Sequence, residues 1–87
     1  MNYTEPTLKQ RAEILGAYGE SERLVREAER KQITSVSNTT WWRLSRKGQV
    51  PAAKQVGTTK SWLLSDLLLW MQHQQISQNL SGEYIGE

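Results

Sequence analysis

Ser37-Asn38-Thr39-Thr40-Trp41-Trp42-Arg43-Leu44-Ser45-Arg46-Lys47-Gly48 is the stretch on which the fold turns. Ser37 is a good N-cap, because its short side chain can accept a hydrogen bond from a backbone N–H one turn on. Gly48 suits the left-handed residue that ends a helix. Between them the spacing predicts a helix to about Lys47, with Trp41 and Leu44 turned toward a core and Thr40 at the edge. Asn38, Thr39, Trp42, Arg43 and Arg46 then fall on the other side, with Lys47 at the far end.

Working outward, Thr7 predicts a cap for a first helix over about Leu8–Tyr18. Leu8, Ala12, Leu15 and Tyr18 share one of its faces, and Gly19 is its stop. Ser21 predicts the start of a second helix, with Glu22 in the first turn and Leu24, Val25, Ala28 and Ile33 as a buried stripe. Arg26, Glu27, Glu29, Arg30 and Lys31 take its wet side. Thr34-Ser35-Val36 is a turn. Beyond Gly48, Pro51 forbids further helix. Lys54–Val56 and Lys60–Trp62 read as two short strands around Gly57-Thr58-Thr59. Ser65 predicts the cap of a last helix over about Asp66–Gln75, with Leu63, Leu67, Trp70 and Met71 inward. Leu64, Leu68 and Leu69 make that helix apolar on more than one side, as a core helix or a contact surface would be.

The expected fold is mainly α with a small β-hairpin, a winged helix-turn-helix with an extra N-terminal helix. Residues 1–20 are the extension, with Met1–Pro6 loose, 21–75 the winged unit, and 76–87 a flexible tail. In such a unit the second helix of the turn enters the major groove and its N-terminal side chains meet base edges.

Charge points the same way. From Arg30 to Ser65 there are seven basic residues (Arg30, Lys31, Arg43, Arg46, Lys47, Lys54, Lys60) and no acidic one. The rest of the chain has four basic and nine acidic residues. That window is +7 and the remainder −5, a field aimed at a polyanion.

Composition narrows the alternatives. Eighty-seven residues make one small domain. There is no Cys, so neither disulfides nor thiolate metal sites hold it. No apolar run is long enough to span a bilayer, and Met1–Pro6 lacks the features of a signal peptide. The expectation is a cytoplasmic, nucleoid-associated protein without a membrane partner. His73 is the only His and sits in a Gln-rich stretch, so no metal, cofactor or catalytic group is expected, and the protein is read as a non-enzyme.

Asn38 could pair with an adenine edge and Arg43 with guanine O6 and N7. Thr39 suits a thymine methyl or a phosphate. Trp42 fits either the core or the sugar–phosphate backbone. Arg46 and Lys47 suit phosphates, and Lys54, Thr58, Thr59 and Lys60 on the wing suit backbone or minor groove. Ser37 and Thr40 complete the set at the helix start. Each has a plainer reading: Asn38 and Thr39 as turn residues, Lys54 and Lys60 as solubility charges. It is the conjunction that favours double-stranded DNA. The rival is a protein-interaction module, with Trp41 and Trp42 as anchors on a helix-turn-helix scaffold.

Ile33-Thr-Ser-Val-Ser37-Asn-Thr-Thr-Trp-Trp-Arg-Leu44, Gly48-Gln-Val-Pro51, Val56-Gly57, Trp62, and Ser65-Asp-Leu with Trp70-Met71 together resemble the AlpA-type prophage regulators, relatives of phage excisionases and of MerR-type DNA-binding domains. The likeness spans about Ile33–Gln72. It implies that Ser37 caps the reading helix, that Asn38, Thr39, Trp42 and Arg43 face the groove, that Gly57 makes the wing turn, and that Trp62 is buried. Ser35 departs from the family's Gly, Trp42 from its Tyr, and Ser45 from its apolar residue. The resemblance further implies a regulator that represses or activates phage promoters and serves as an excisionase. Its partners would be promoter and attachment-site DNA, neighbouring copies of itself on repeated sites, and a phage integrase.

Overall fold

In the computed structural model, which describes residues 3–81, Thr7 opens the first helix through a reciprocal cap. Its hydroxyl accepts from the Gln10 N–H at 3.1 Å, and the Gln10 side chain accepts from the Thr7 N–H at 2.9 Å. Helix α1 runs Leu8–Tyr18 and stops at Gly19, whose φ of 67° closes it. Its buried face differs from the expected one. Arg11 and Ile14 are buried and Leu15 half-buried, while Leu8 is 85 % exposed and Ala12 and Tyr18 face outward. The cause is an ionic partner that a pattern of apolar residues does not register. Arg11 Nη1 meets Asp66 Oδ1 at 3.0 Å and Ser65 Oγ at 2.9 Å, both buried, and this turns the helix.

The segment before α1 is tied down as well. Tyr3 N–H donates to the Gly48 carbonyl at 2.8 Å and its hydroxyl to Asp66 Oδ1 at 2.6 Å. Met1–Pro6 was expected to be loose; from Tyr3 onward it is anchored to two distant elements, and Met1 and Asn2 lie outside the described residues.

The expected helix from Ser21 is a strand followed by a shorter helix. Strand β1 is Leu24–Arg26 and helix α2 is Glu27–Thr34. Val25 is fully buried and stands opposite Trp62. Pairing with a distant strand has overridden a locally helix-compatible stretch. Ala28 and Leu24 are exposed accordingly, and Arg30, expected in water, is 0 % exposed. Its Nη1 donates to the Val36 carbonyl at 2.6 Å, its Nη2 to Asn38 Oδ1 at 2.9 Å and to Glu27, and its face covers Trp41.

After a turn through Ser35, helix α3 spans Asn38–Arg46 from its Ser37 cap, with Lys47 as the C-cap and Gly48 at φ 70°. Strands β2 (Lys54–Val56) and β3 (Thr59–Leu63) form the expected hairpin, with Gly57 at φ 64° as the first of two turn residues. β1 adds to the other edge of β3, so the sheet has three antiparallel strands in the order β1-β3-β2. Four helices and this sheet make a mixed α/β fold, rather than a mainly α one with a lone hairpin.

Helix α4 spans Leu64–Ser81. Ser65 is a buried residue inside it instead of its cap. Glu22 takes the capping role: its Oε1 accepts from Ser65 N–H at 3.1 Å, and its Oε2 from the Ser65 hydroxyl at 2.7 Å. The helix passes the expected end at Gln75, and of the expected tail, residues 82–87 lie outside the described residues. Leu64, Leu67, Leu68 and Trp70 are buried, and α4 packs on α1, α2 and β3. Its apolar excess is therefore core, not a free contact surface. Trp41 sits edge-on to both Trp62 (6.0 Å between centroids) and Trp70 (5.2 Å). Trp62 and Trp70 donate their indole N–H groups to the carbonyls of Pro51 and Gln49, which pins the loop after α3.

Candidate nucleic-acid interface

Helix α3 divides as its spacing predicts. Trp41 is 4 % exposed and Leu44 half-buried, which turns residues 38, 39, 42, 43, 45 and 46 outward. Ser37 Oγ accepts from Thr40 N–H at 3.2 Å and donates to Thr40 Oγ1 at 3.1 Å. Thr40, half-buried at the edge, also accepts from Arg43 Nη2 at 3.3 Å, which leans Arg43 along the helix start. The first backbone N–H groups of a helix have no intrahelical partner, so this end is suited to an anion.

Trp42 settles on the wet side. It is 56 % exposed, and the Arg46 guanidinium lies 4.9 Å from its ring centroid. The pair presents a flat cationic surface on α3, one turn from Arg43. Lys47 is exposed at the helix end. On the hairpin, Lys54, Thr58 and Lys60 are exposed and Thr59 is half-buried. Gln55 Nε2 donates to the Gly57 carbonyl at 3.1 Å and braces the tip.

Between α3 and the hairpin lies an open groove of about 420 Å³. Asn38, Trp42 and Ser45 line one side, Ala52, Ala53 and Lys60 the other, with Trp41 and Trp62 among its apolar lining. The structure thus brings Lys60 and the outer face of α3 to one concavity. Thr39, Arg43, Arg46, Lys47, Lys54 and Thr58 are exposed outside that lining.

The charge field changes in one respect. Arg30 contributes to the core, not to the surface, and the other six basic residues of the window are exposed. Among the described residues none of those six is in an ion pair, whereas Arg11, Arg23 and Arg30 all are. Glu27, outside the carboxylate-free window in sequence, reaches the groove and is held by Arg30. Glu27, Arg30 and Ser45 are the site-forming residues that sequence reasoning missed. A Glu and an Arg three apart on a helix were the available signal, and they read equally well as a solvated pair.

Among the described residues no group of three or more His, Cys, Asp or Glu side chains could hold a metal ion, and His73 is exposed on α4. No helix is long and apolar enough to cross a membrane among those residues. The chain matches no protein-family model, no curated protein and no solved structure.

Proposed function

We propose that the protein binds duplex DNA as a winged helix-turn-helix, with α3 in the major groove and the β2–β3 hairpin as the wing. The observation that carries this reading is the row of exposed basic side chains on α3 and the hairpin. Arg43, Arg46, Lys47, Lys54 and Lys60 are exposed there, Arg46 against the exposed Trp42 and Lys60 in the groove that Trp42 lines, and among the described residues none of the five is in an ion pair. Exposed cations without a protein counter-ion are available to phosphates. Arg43 is the guanine reader, Trp42 packs along the sugar–phosphate backbone, and Arg46, Lys47 and the wing residues hold phosphates.

The biological role follows the AlpA-type and excisionase resemblance: a phage protein that occupies repeated sites side by side, regulates or represses a phage promoter, and bends attachment-site DNA for excision. It is a binding protein without catalysis of its own, and the strand chemistry belongs to an integrase. A module of this size buries roughly 600–1,000 Å² on DNA, so neighbouring copies supply part of the affinity. With the leucines of α4 in the core, the outward residues Leu8, Ala12 and Tyr18 of α1 are the neighbour contact.

The test is retention of sheared host and prophage DNA by the purified protein, followed by a salt titration on the recovered site. About four phosphate contacts give a log–log salt slope near −3.6 per monomer. Arg43→Ala is expected to cost about 1–3 kcal/mol on the recovered site and less on random DNA. Equal losses on both would remove Arg43 from base reading, and no enrichment at any salt would overturn the DNA reading itself.

A further inference from the structure

The side-chain amide of Asn38 is oriented from inside the protein. Arg30 carries N–H donors and no acceptor. Its Nη2 lies 2.9 Å from the Asn38 side chain, so the amide atom that faces it is the oxygen. The guanidinium has little freedom to follow if the amide rotates. It is 0 % exposed, donates to the Val36 carbonyl at 2.6 Å, meets Glu27, and lies over Trp41 and Trp62. Asn38 itself is exposed on α3, and among the described residues its Nδ2 has no hydrogen-bond partner.

An asparagine that reads adenine turns both amide atoms to one base: the oxygen accepts from N6 and the nitrogen donates to N7. Here a buried cation draws the oxygen toward the protein, and the group left to face DNA is the NH2. Two hydrogens without an acceptor fit a base edge that has two acceptors and no donor. In the major groove that edge is guanine, with O6 and N7, whereas adenine sets its N6 amino group against another donor.

We propose that Arg30 is a specificity-determining positioning residue, which makes Asn38 a donor that selects guanine over adenine at the base pair facing the start of α3. The inference rests on the DNA-binding reading above, and it replaces the adenine assignment that Asn38 suggests by residue type alone.

The test begins with duplexes selected from a random pool by the wild-type protein and by Asn38→Ala. The pair whose preference vanishes in Asn38→Ala is the pair that Asn38 contacts, and guanine is expected there. Replacing that guanine by adenine or by 7-deazaguanine should weaken wild-type binding about ten-fold, while inosine, which keeps O6 and N7, should leave it unchanged. Arg30→Met, checked for folding by circular dichroism, should bind guanine and adenine equally with the salt dependence retained. Asn38→Asp keeps a partner for Arg30 but lacks the donor, so it should lose the guanine preference even where Arg30→Met does not fold. Adenine at that pair, equal losses with inosine and 7-deazaguanine, a guanine preference kept by Asn38→Asp, or an Asn38→Ala variant with unchanged base preferences would each overturn the role of Arg30. A wild-type protein that selects no sequence at all would instead overturn the DNA reading beneath it.

Discussion

The Arg30 guanidinium lies 4.6 Å from the centroid of the Trp41 ring, a cation on an aromatic face in the middle of the core. Both residues leave a buried N–H without a partner, Arg30 Nε and Trp41 Nε1. Three hydrogen bonds from the other guanidinium nitrogens and the ring contact hold the cation in place. Removing it as Arg30→Met strands the Val36 carbonyl and loses a desolvated cation–π contact, so stability is expected to fall by about 2–4 kcal/mol. Urea unfolding with unchanged m-value would report it; a loss below that of an ordinary surface substitution would show that the stack is not structural.

Asp66 stands between Tyr3 and Arg11 and accepts from both. Asp66→Ala leaves a buried guanidinium short of its counter-ion and is expected to cost about 3–5 kcal/mol. Glu29→Ala breaks a pair with Arg23 that lies in solvent, and thermal melts should show no resolvable change. Equal shifts from the two variants would contradict the burial of the Arg11–Asp66 pair.

Tyr3 gives alkaline pH a specific target. Burial first, then the hydrogen bond and charge of Asp66, push its phenol above the usual tyrosine value of 10.0. A pKa raised on folding stabilises fully below the unfolded value and is lost as pH climbs past it toward the folded one. Wild-type stability should therefore decline above about pH 10 more steeply than that of Tyr3→Phe. At neutral pH the variant should be less stable by about 1–2 kcal/mol for the missing hydrogen bond to a carboxylate. Parallel curves for the two proteins from pH 9 to 11 would remove the coupling.

Ser35 holds φ at 60°, the only described non-glycine residue with positive φ. A side chain there costs about 1 kcal/mol that glycine avoids. Ser35→Gly should raise stability by about 0.5–1 kcal/mol, less whatever unfolded-state freedom the glycine adds, without altering DNA affinity. A lower melting temperature would mean that the Ser35 side chain does more than occupy a turn.

Trp42 is the one tryptophan in water: Trp41, Trp62 and Trp70 are each at most 8 % exposed. Acrylamide quenching should act mainly on a single component of the fluorescence, absent in Trp42→Phe. Duplex DNA should shield that component if α3 lies in the groove. Full quenching in the presence of saturating DNA would place the nucleic acid elsewhere.

The chain by itself determined the features whose causes lie within a turn or two of backbone. Thr7 and Ser37 cap, Gly19, Gly48 and Gly57 adopt left-handed backbone, and Trp41 and Leu44 set the inner face of α3. The exposed α3 residues Asn38, Thr39, Trp42, Arg43 and Arg46 follow from that one periodicity, which is why they were legible in advance. What only the tertiary structure decided depends on partners far along the chain. Arg11 turned α1 toward a carboxylate 55 residues away, Glu22 capped a helix 43 residues on, and Val25 became strand because Trp62 was there to pair with it. Arg30 left the charged surface for the same reason. A guanidinium can be buried only where acceptors and aromatic faces converge on it, and only the folded chain brings Val36, Asn38, Trp41 and Trp62 around that one cation.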